Sequence, residues 1–115
     1  MHQHDVLFEP LSLPCGTVLK NRIAKSTMSD SFGDGTGHPT PEQNRLYQRW
    51  AQGGVAISIV GDVQATSSHA EKPGNLVLNA QSDIARFRGL AERGGENGTQ
   101  VWFQLGHAGR FDMRQ

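Results

Sequence analysis

The stretch VAISIV, residues 55–60, decides the fold class of this 115-residue chain. It is short, nearly all apolar and rich in β-branched residues, without the alternation of a half-exposed strand. Such a run is typical of a parallel strand that is buried on both faces. Because parallel strands are joined by long crossovers, usually helical, we expect a helix on each side of this strand in the sequence.

A helix is predicted before this strand, from about Pro41 to Gln52. Thr40 is suited to the N-cap, Pro41 to the first helical position, and Gln43 to the capping-box position three residues after the cap. Gly53 and Gly54 end the helix. Its apolar stripe is formed by Leu46, Tyr47, Trp50 and Ala51.

A second helix is predicted after the strand, from about Asp83 to Arg93, following a long polar connection between Gly61 and Asn79. Ser82 and Asp83 open it, and the glycines that follow it stop it. Its apolar face is formed by Ile84, Phe87, Leu90 and Ala91.

Two further strands and a hairpin complete the predicted order. The strands are IAKSTM, 23–28, and QVWFQLG, 100–106, and residues 7–22 form two extended stretches around a Pro14-Cys15-Gly16 turn. The order of hairpin, β, loop, α, β, loop, α, β predicts a parallel sheet with helices outside it. Both an open doubly wound sheet and the start of a (β/α)8 barrel fit this order.

The charge balance, the lengths of the apolar runs and the cysteine count exclude several classes of protein and site. Eleven basic and eleven acidic residues give zero net charge with no block of one sign, which argues against nucleic acid or an acidic membrane as partner. No apolar run approaches the roughly 20 residues that span a bilayer, and the start lacks signal-peptide features, so we expect a cytoplasmic protein. A single cysteine, Cys15, excludes an internal disulfide and a multi-cysteine zinc site.

The candidate site lies where the three predicted strands end. In both architectures ligands bind at the carboxyl ends of the strands. Residues 25–29 (KSTMS), Gly61 with Asp62, and residues 104–107 (QLGH) bring hydroxyl, amide and backbone groups to that edge. An amide such as that of Gln104 both donates and accepts, which suits a flat heteroaromatic ligand with alternating donors and acceptors.

The remaining polar residues do not indicate a particular function. The loop Ser29–Gly37 is glycine-rich but does not form a dinucleotide fingerprint, so it is interpreted as a mobile loop with Asp30 and Asp34 as solvated charges. His107 could be a general acid, a ligand or a structural residue, and no metal-ligand partner stands near it in sequence. Arg110 fits an anion or carbonyl contact and a structural salt bridge equally well.

Four segments, in order, carry a family resemblance: LFEPLSL (7–13), LKNRIAKSTM (19–28), LYQRWAQGGVAISIVGDV (46–63) and FQLGHAGR (103–110). Over residues 7–112 the chain resembles the N-terminal part of the old yellow enzyme family of NADH:flavin oxidoreductases and ene-reductases. The resemblance implies an α/β fold, the N-terminal part of a (β/α)8 TIM barrel with a hairpin and about three βα units, incomplete in this chain. Residues 1–115 would be an N-terminal fragment of one FMN-binding domain.

The resemblance also implies a set of cofactor contacts at the top of the barrel. Ser29 would approach the flavin carbonyl, Gln104 would bond the polar edge of the ring, and the register of Gly61 and Asp62 against the flavin stays open. Thr27 replaces a proline that is usual in the family. The implied FMN-binding residues are Ser26, Thr27, Met28, Ser29, Gly61, Asp62 and Gln104.

The implied reaction moves a hydride from NAD(P)H to FMN and then to an activated alkene, an enone-type small molecule. The substrate-binding pair, the proton-donating tyrosine and the phosphate-binding residues lie on later strands of the family, so no catalytic residue is assigned here. Two alternatives remain: a non-catalytic binding or assembly module whose open sheet edge is completed by a partner chain or by self-association, and an inactive fragment.

Overall fold

A computed structural model of the chain describes residues 3–66 and 74–107. After a 3-10 helix at Gln3–Phe8, strands β1 (Leu11–Ser12) and β2 (Val18–Leu19) pair antiparallel, so the predicted hairpin is confirmed. Arg110, whose role was left open, lies outside the described residues.

The central sheet is built around β4 (Ile57–Gln64), and all its neighbours run parallel to it. Both β3 (Ala24–Lys25) and β6 (Gln100–Gly106) pair with Ile57, so they lie on opposite edges of β4. Both β5 (Leu76–Val77) and β6 pair with Val63, so β5 lies on the same edge as β3. The predicted parallel sheet is therefore confirmed.

Two details of the sheet differ from the prediction. Strand β4 extends past residue 60 to Gln64, and it therefore passes through Gly61 and Asp62 instead of ending there. Strand β5 lies inside the predicted polar connection. Glycine and aspartate are weak strand formers, and a two-residue strand shows no periodicity, so pairing with neighbouring strands decides both features.

Helices α1 (Pro41–Gln52) and α2 (Ile84–Gly94) confirm the two predicted helices. The Thr40 side chain caps α1 by accepting from the Gln43 backbone N–H, and Asp83 caps α2 in the same way. The capping box is wrong in one respect, because the Gln43 side chain bonds Asp30 instead of the backbone at Thr40. Ile84 is also 52% exposed and does not belong to the buried face of α2.

Both helices pack on one face of the sheet and form the main core there. Side chains of the central strands meet the buried side of each helix on this face, and an irregularity in the pairing of β4 between Val60 and Val63 brings both of these residues to it. The buried cluster consists of Tyr47, Val60, Val63, Leu76, Phe87 and Leu90.

The hairpin covers the opposite face of the sheet at the amino ends of the strands. Leu19 of β2 is buried with Ala56 and Ile57, at the start of β4. The carboxyl ends of the strands lie away from this cover. Within the described residues no helix is long and apolar enough to cross a membrane.

The loop Ser29–Gly37 is built by local bonds, and Asp34, which is exposed as expected of a solvated charge, is also held by several of them. Its Oδ1 accepts from the Thr36 backbone N–H at 2.7 Å and from the His38 backbone N–H at 3.1 Å, while Arg86 Nη1 lies 3.0 Å from Oδ2. Burial alone would raise the pKa of Asp34, but the hydrogen bonds from Thr36 and His38 and the contact with Arg86 outweigh it. They hold that pKa well below its ordinary value.

This lowered pKa predicts an acid-dependent loss of stability. A carboxylate with a folded-state pKa below the unfolded value stabilises the fold above about pH 4 and loses that contribution as the pH falls. The Asp34→Asn variant should therefore be less stable near neutral pH and lose less stability on acidification below pH 4. Urea unfolding of both proteins across this range measures the difference, and parallel acid profiles would contradict the prediction.

Candidate functional site

Three residues from three strand segments meet at the carboxyl edge of the sheet. The Thr27 hydroxyl follows β3, Gln104 lies near the end of β6, and Gly61 lies between them on β4. Thr27 Oγ1 donates to Gln104 Oε1 at 2.8 Å, a bond between residues 77 apart in sequence. The accepting oxygen fixes the orientation of the Gln104 amide, and its nitrogen is then the donor that this side chain can offer to a ligand.

The lack of a side chain at Gly61 allows this contact. A Cβ atom built there would overlap the Thr27 hydroxyl and lie 2.9 Å from Gln104 Oε1. Because carbon atoms do not approach this closely, any other residue at position 61 would push Thr27 and Gln104 apart. The site therefore combines a hydroxyl, an amide and a stretch of bare backbone.

Asp62 and Gln64 form a second group beside this one. A Cβ atom on Gly106 would lie 3.6 Å from Asp62 Oδ1 and 3.4 Å from Gln64 Nε2. Gln64 is buried, and its Oε1 has no hydrogen-bond partner among the described residues. Gly61 therefore contacts Thr27 and Gln104, whereas Asp62 lies toward the end of β6.

Ser29 is held by a different partner. It forms an isolated parallel bridge with Gly61, and its Oγ donates to Asn75 Oδ1 at 2.8 Å.

Of the remaining predicted residues, Ser26 and Met28 are exposed at the same edge. His107 is exposed just after β6. In the described part of the chain, no three His, Cys, Asp or Glu side chains are grouped in a way that could hold a metal ion.

A polar network between strand β3, helix α1 and Asp30 supports the residues around Ser29. Asp30, which sequence treated as solvated, accepts from Gln43 Nε2 at 3.0 Å and from the Tyr47 hydroxyl at 3.3 Å. Lys25 Nζ donates to the Tyr47 hydroxyl at 3.1 Å and lies 4.7 Å from the centre of the Trp50 ring. The residue after Ser29 is thus anchored to helix α1.

Burial dominates the electrostatics of this network. It lowers the pKa of Lys25, which the Asp30 carboxylate partly offsets, and it raises the pKa of Tyr47, which Asp30 reinforces. Tyr47 therefore stays a neutral donor to Asp30 at physiological pH. Sequence reasoning missed this network and Asn75; the one available signal was a lysine inside a predicted strand.

The described residues have the fold of the N-terminal part of a (β/α)8 barrel. Their central strands run parallel, their helices pack on one face of the sheet, and the hairpin covers the amino ends of the strands. The fold matches that of the old yellow enzyme from Trypanosoma cruzi with a TM-score of 0.84 at 21% identity, over 96% of this chain and 29% of that chain. It also matches a 2-naphthoyl-CoA reductase in complex with 2-naphthoyl-CoA, with a TM-score of 0.83 at 21% identity, over 94% of this chain and 16% of that one.

Sequence comparison gives the family. The model of the NADH:flavin oxidoreductase / NADH oxidase family matches residues 6–113, and the chain belongs to this family. The resemblance found in the sequence is thereby confirmed. The family name identifies a flavin and NADH as the reacting groups, both of them small molecules.

Curated relatives agree with this assignment. The NADH-dependent flavin oxidoreductase iliE of Hypocrea jecorina is 30% identical over 105 residues, which are 88% of this chain and 26% of that protein. The NADH:fumarate oxidoreductase of Klebsiella pneumoniae is 28% identical over 111 residues, 96% of this chain and 12% of that protein. The chain thus spans about a quarter or less of the length of these relatives.

Proposed function

We propose that this chain is part of an FMN-dependent NAD(P)H oxidoreductase of the old yellow enzyme type, which reduces activated alkenes such as enones. Residues 1–115 would be the N-terminal part of an FMN-binding TIM-barrel domain and supply one side of the flavin site. The observation that carries the proposal is the meeting of Thr27, Gly61 and Gln104 at the carboxyl edge of a parallel sheet, in a chain of a flavin oxidoreductase family.

The residues at this edge fit a flavin ring. The polar edge of the ring carries carbonyl oxygens and a ring N–H, and the Gln104 amide can donate to the former. Gly61 makes room for the Thr27 hydroxyl to reach Gln104, and the exposed Ser26 and Met28 lie at the same edge of the sheet. The donor set is neutral, which suits the ring and leaves the phosphate to other residues.

Bound there, FMN would supply hydride transfer between a nicotinamide and an alkene. This chain would contribute orientation. Thr27 donates to Gln104 Oε1, so the amide nitrogen would be left to donate to the ring edge. Asp62 and Ser29 would border the ring on either side of Gly61. Relatives whose names specify NADH support NADH as the reductant.

The test is to produce the protein that carries this chain in its natural reading frame and to identify any bound flavin by chromatography after denaturation. The proposal predicts a yellow protein that releases FMN, is bleached by NADH without oxygen, and regains colour when an enone is added. A folded protein that is colourless and does not bind added FMN would overturn it. That result would favour the non-catalytic binding or assembly module.

A further inference from the structure

Ser29 is a proposed flavin neighbour whose side chain is bound by a residue outside the proposed flavin contacts. Its hydroxyl donates to Asn75 Oδ1 at 2.8 Å, 46 residues away in sequence. A hydroxyl has one hydrogen, so a serine that donates to Asn75 presents only lone pairs to a ligand. Asn75 is 4% exposed and Ser29 is half-buried, so the acceptor side of this bond is shielded from water.

The backbone on both sides of Asn75 fixes its position. Gly33 N–H donates to Gly74 O at 2.9 Å, and Val77 N–H donates to Gly37 O at 2.8 Å. These two bonds join the loop after β3 to the segment that enters β5. A side chain on Gly74 would overlap the backbone of Ser31, so the close approach requires glycine there.

Ser29 is held from its other side as well. The next residue, Asp30, is bound by Gln43 and Tyr47 of helix α1, and Ser29 itself bridges to Gly61 on β4. Asp30 is thus fixed to α1 and the Ser29 backbone to β4. For this reason the Ser29 hydroxyl can turn away from Asn75 only by breaking the hydrogen bond between them. Asn75 Nδ2 is buried without a hydrogen-bond partner among the described residues, so the Ser29 bond is what holds this amide.

We infer that Asn75 is a positioning residue that sets the hydrogen-bonding role of Ser29 toward the flavin. By accepting the Ser29 proton, Asn75 makes Ser29 an acceptor and denies the ring a donor at that point. A donor to a flavin carbonyl stabilises the electron-rich reduced ring more than the oxidised one, so withholding it keeps the midpoint potential low. This inference rests on the proposed function.

The test is a double-substitution cycle on the protein that carries this chain in its natural reading frame. Asn75→Ala should free the Ser29 hydroxyl and shift the flavin midpoint potential to a more positive value. In a Ser29→Ala background the same change should leave the potential unmoved. Asn75→Asp retains an acceptor for Ser29 and should not give the positive shift.

Asn21→Ala is the matched control, because Asn21 is a buried asparagine at the other end of the sheet that donates to Gly54 O. It should lower stability without moving the potential. The same cycle on the flavin-free protein, measured by urea unfolding, should show coupling between Ser29 and Asn75. If the protein shows this coupling but binds no FMN, the proposed function and the role of Asn75 toward the flavin are overturned, whereas the interaction between Ser29 and Asn75 stands.

Two results would overturn the positioning role itself. One is a positive shift from Asn75→Ala that is equally large without the Ser29 hydroxyl. The other is the absence of coupling in the flavin-free protein, which would show that the two side chains do not act on one another. If Asn75→Ala does not fold, Asn75→Asp and the Ser29→Ala variant decide between these results, since a positive shift in Asn75→Asp contradicts the role.

Discussion

Replacing Gly61 with alanine is expected to weaken FMN binding about 10- to 100-fold. The new methyl group would overlap the Thr27 hydroxyl and press on Gln104 Oε1, so the bond between these two residues would break. Overpacking of this kind costs about 1–3 kcal/mol, and the Gln104 amide would lose the bond that orients it. Fluorescence titration with FMN measures the change.

The matched control for this variant is Gly89→Ala. Gly89 lies inside helix α2, where a Cβ atom would meet only Asn44 Nδ2, at 3.8 Å. Alanine in a helix interior is favoured over glycine by about 0.5–1 kcal/mol, so this variant should be at least as stable as the parent and bind FMN equally well. Equal FMN affinity in the two variants would contradict the role of Gly61.

Replacing Tyr47 with alanine is expected to give the largest loss of stability, about 3–5 kcal/mol. Its ring is completely buried between the helices and the sheet, and its hydroxyl joins Lys25 to Asp30. Tyr47→Phe keeps the ring and removes the hydroxyl, so about 1–3 kcal/mol should be lost through the unpaired groups alone. Chemical unfolding of both variants separates packing from hydrogen bonding.

Trp50→Phe is a suitable control for the Tyr47 pair, because Trp50 is only half-buried in the same helix and packs edge-on against Tyr47. It should cost less than Tyr47→Ala. If Tyr47→Phe had no effect on stability, the hydroxyl would not be linking Lys25 and Asp30. The anchoring of the residue after Ser29 to α1 would then have to come from Gln43 alone.

The order and direction of the hairpin, the two helices and strands β3, β4 and β6 could be predicted from sequence because each has a local signal. The uninterrupted run at 55–60 identifies a buried parallel strand, and Thr40 marks the start of α1 by its side chain alone. The position of Gln104 at a strand end follows from the strand before it. Its partner Thr27 could be placed at the same edge, but not in contact with it.

Contacts between distant side chains could not be predicted. Gln43 is suited to a capping box, in which its Oε1 would accept from the Thr40 backbone N–H, but its Nε2 instead donates to the charged Asp30 carboxylate, which draws the side chain away from the cap. The bond between Ser29 and Asn75 depends on strand β5, which is too short to have a pattern. Sequence thus defines the edge where the site lies, and tertiary pairing decides which atoms remain to face a ligand.

The central claim is that Gln104 faces the flavin, and the FMN dissociation constant of Gln104→Leu tests it most directly. Gln100→Leu is the control, since Gln100 is exposed on the same strand but lies at its opposite end. We expect binding about 10-fold weaker for Gln104→Leu, the loss of roughly one hydrogen bond, and unchanged binding for Gln100→Leu. Equal dissociation constants for both variants and the parent would contradict the claim.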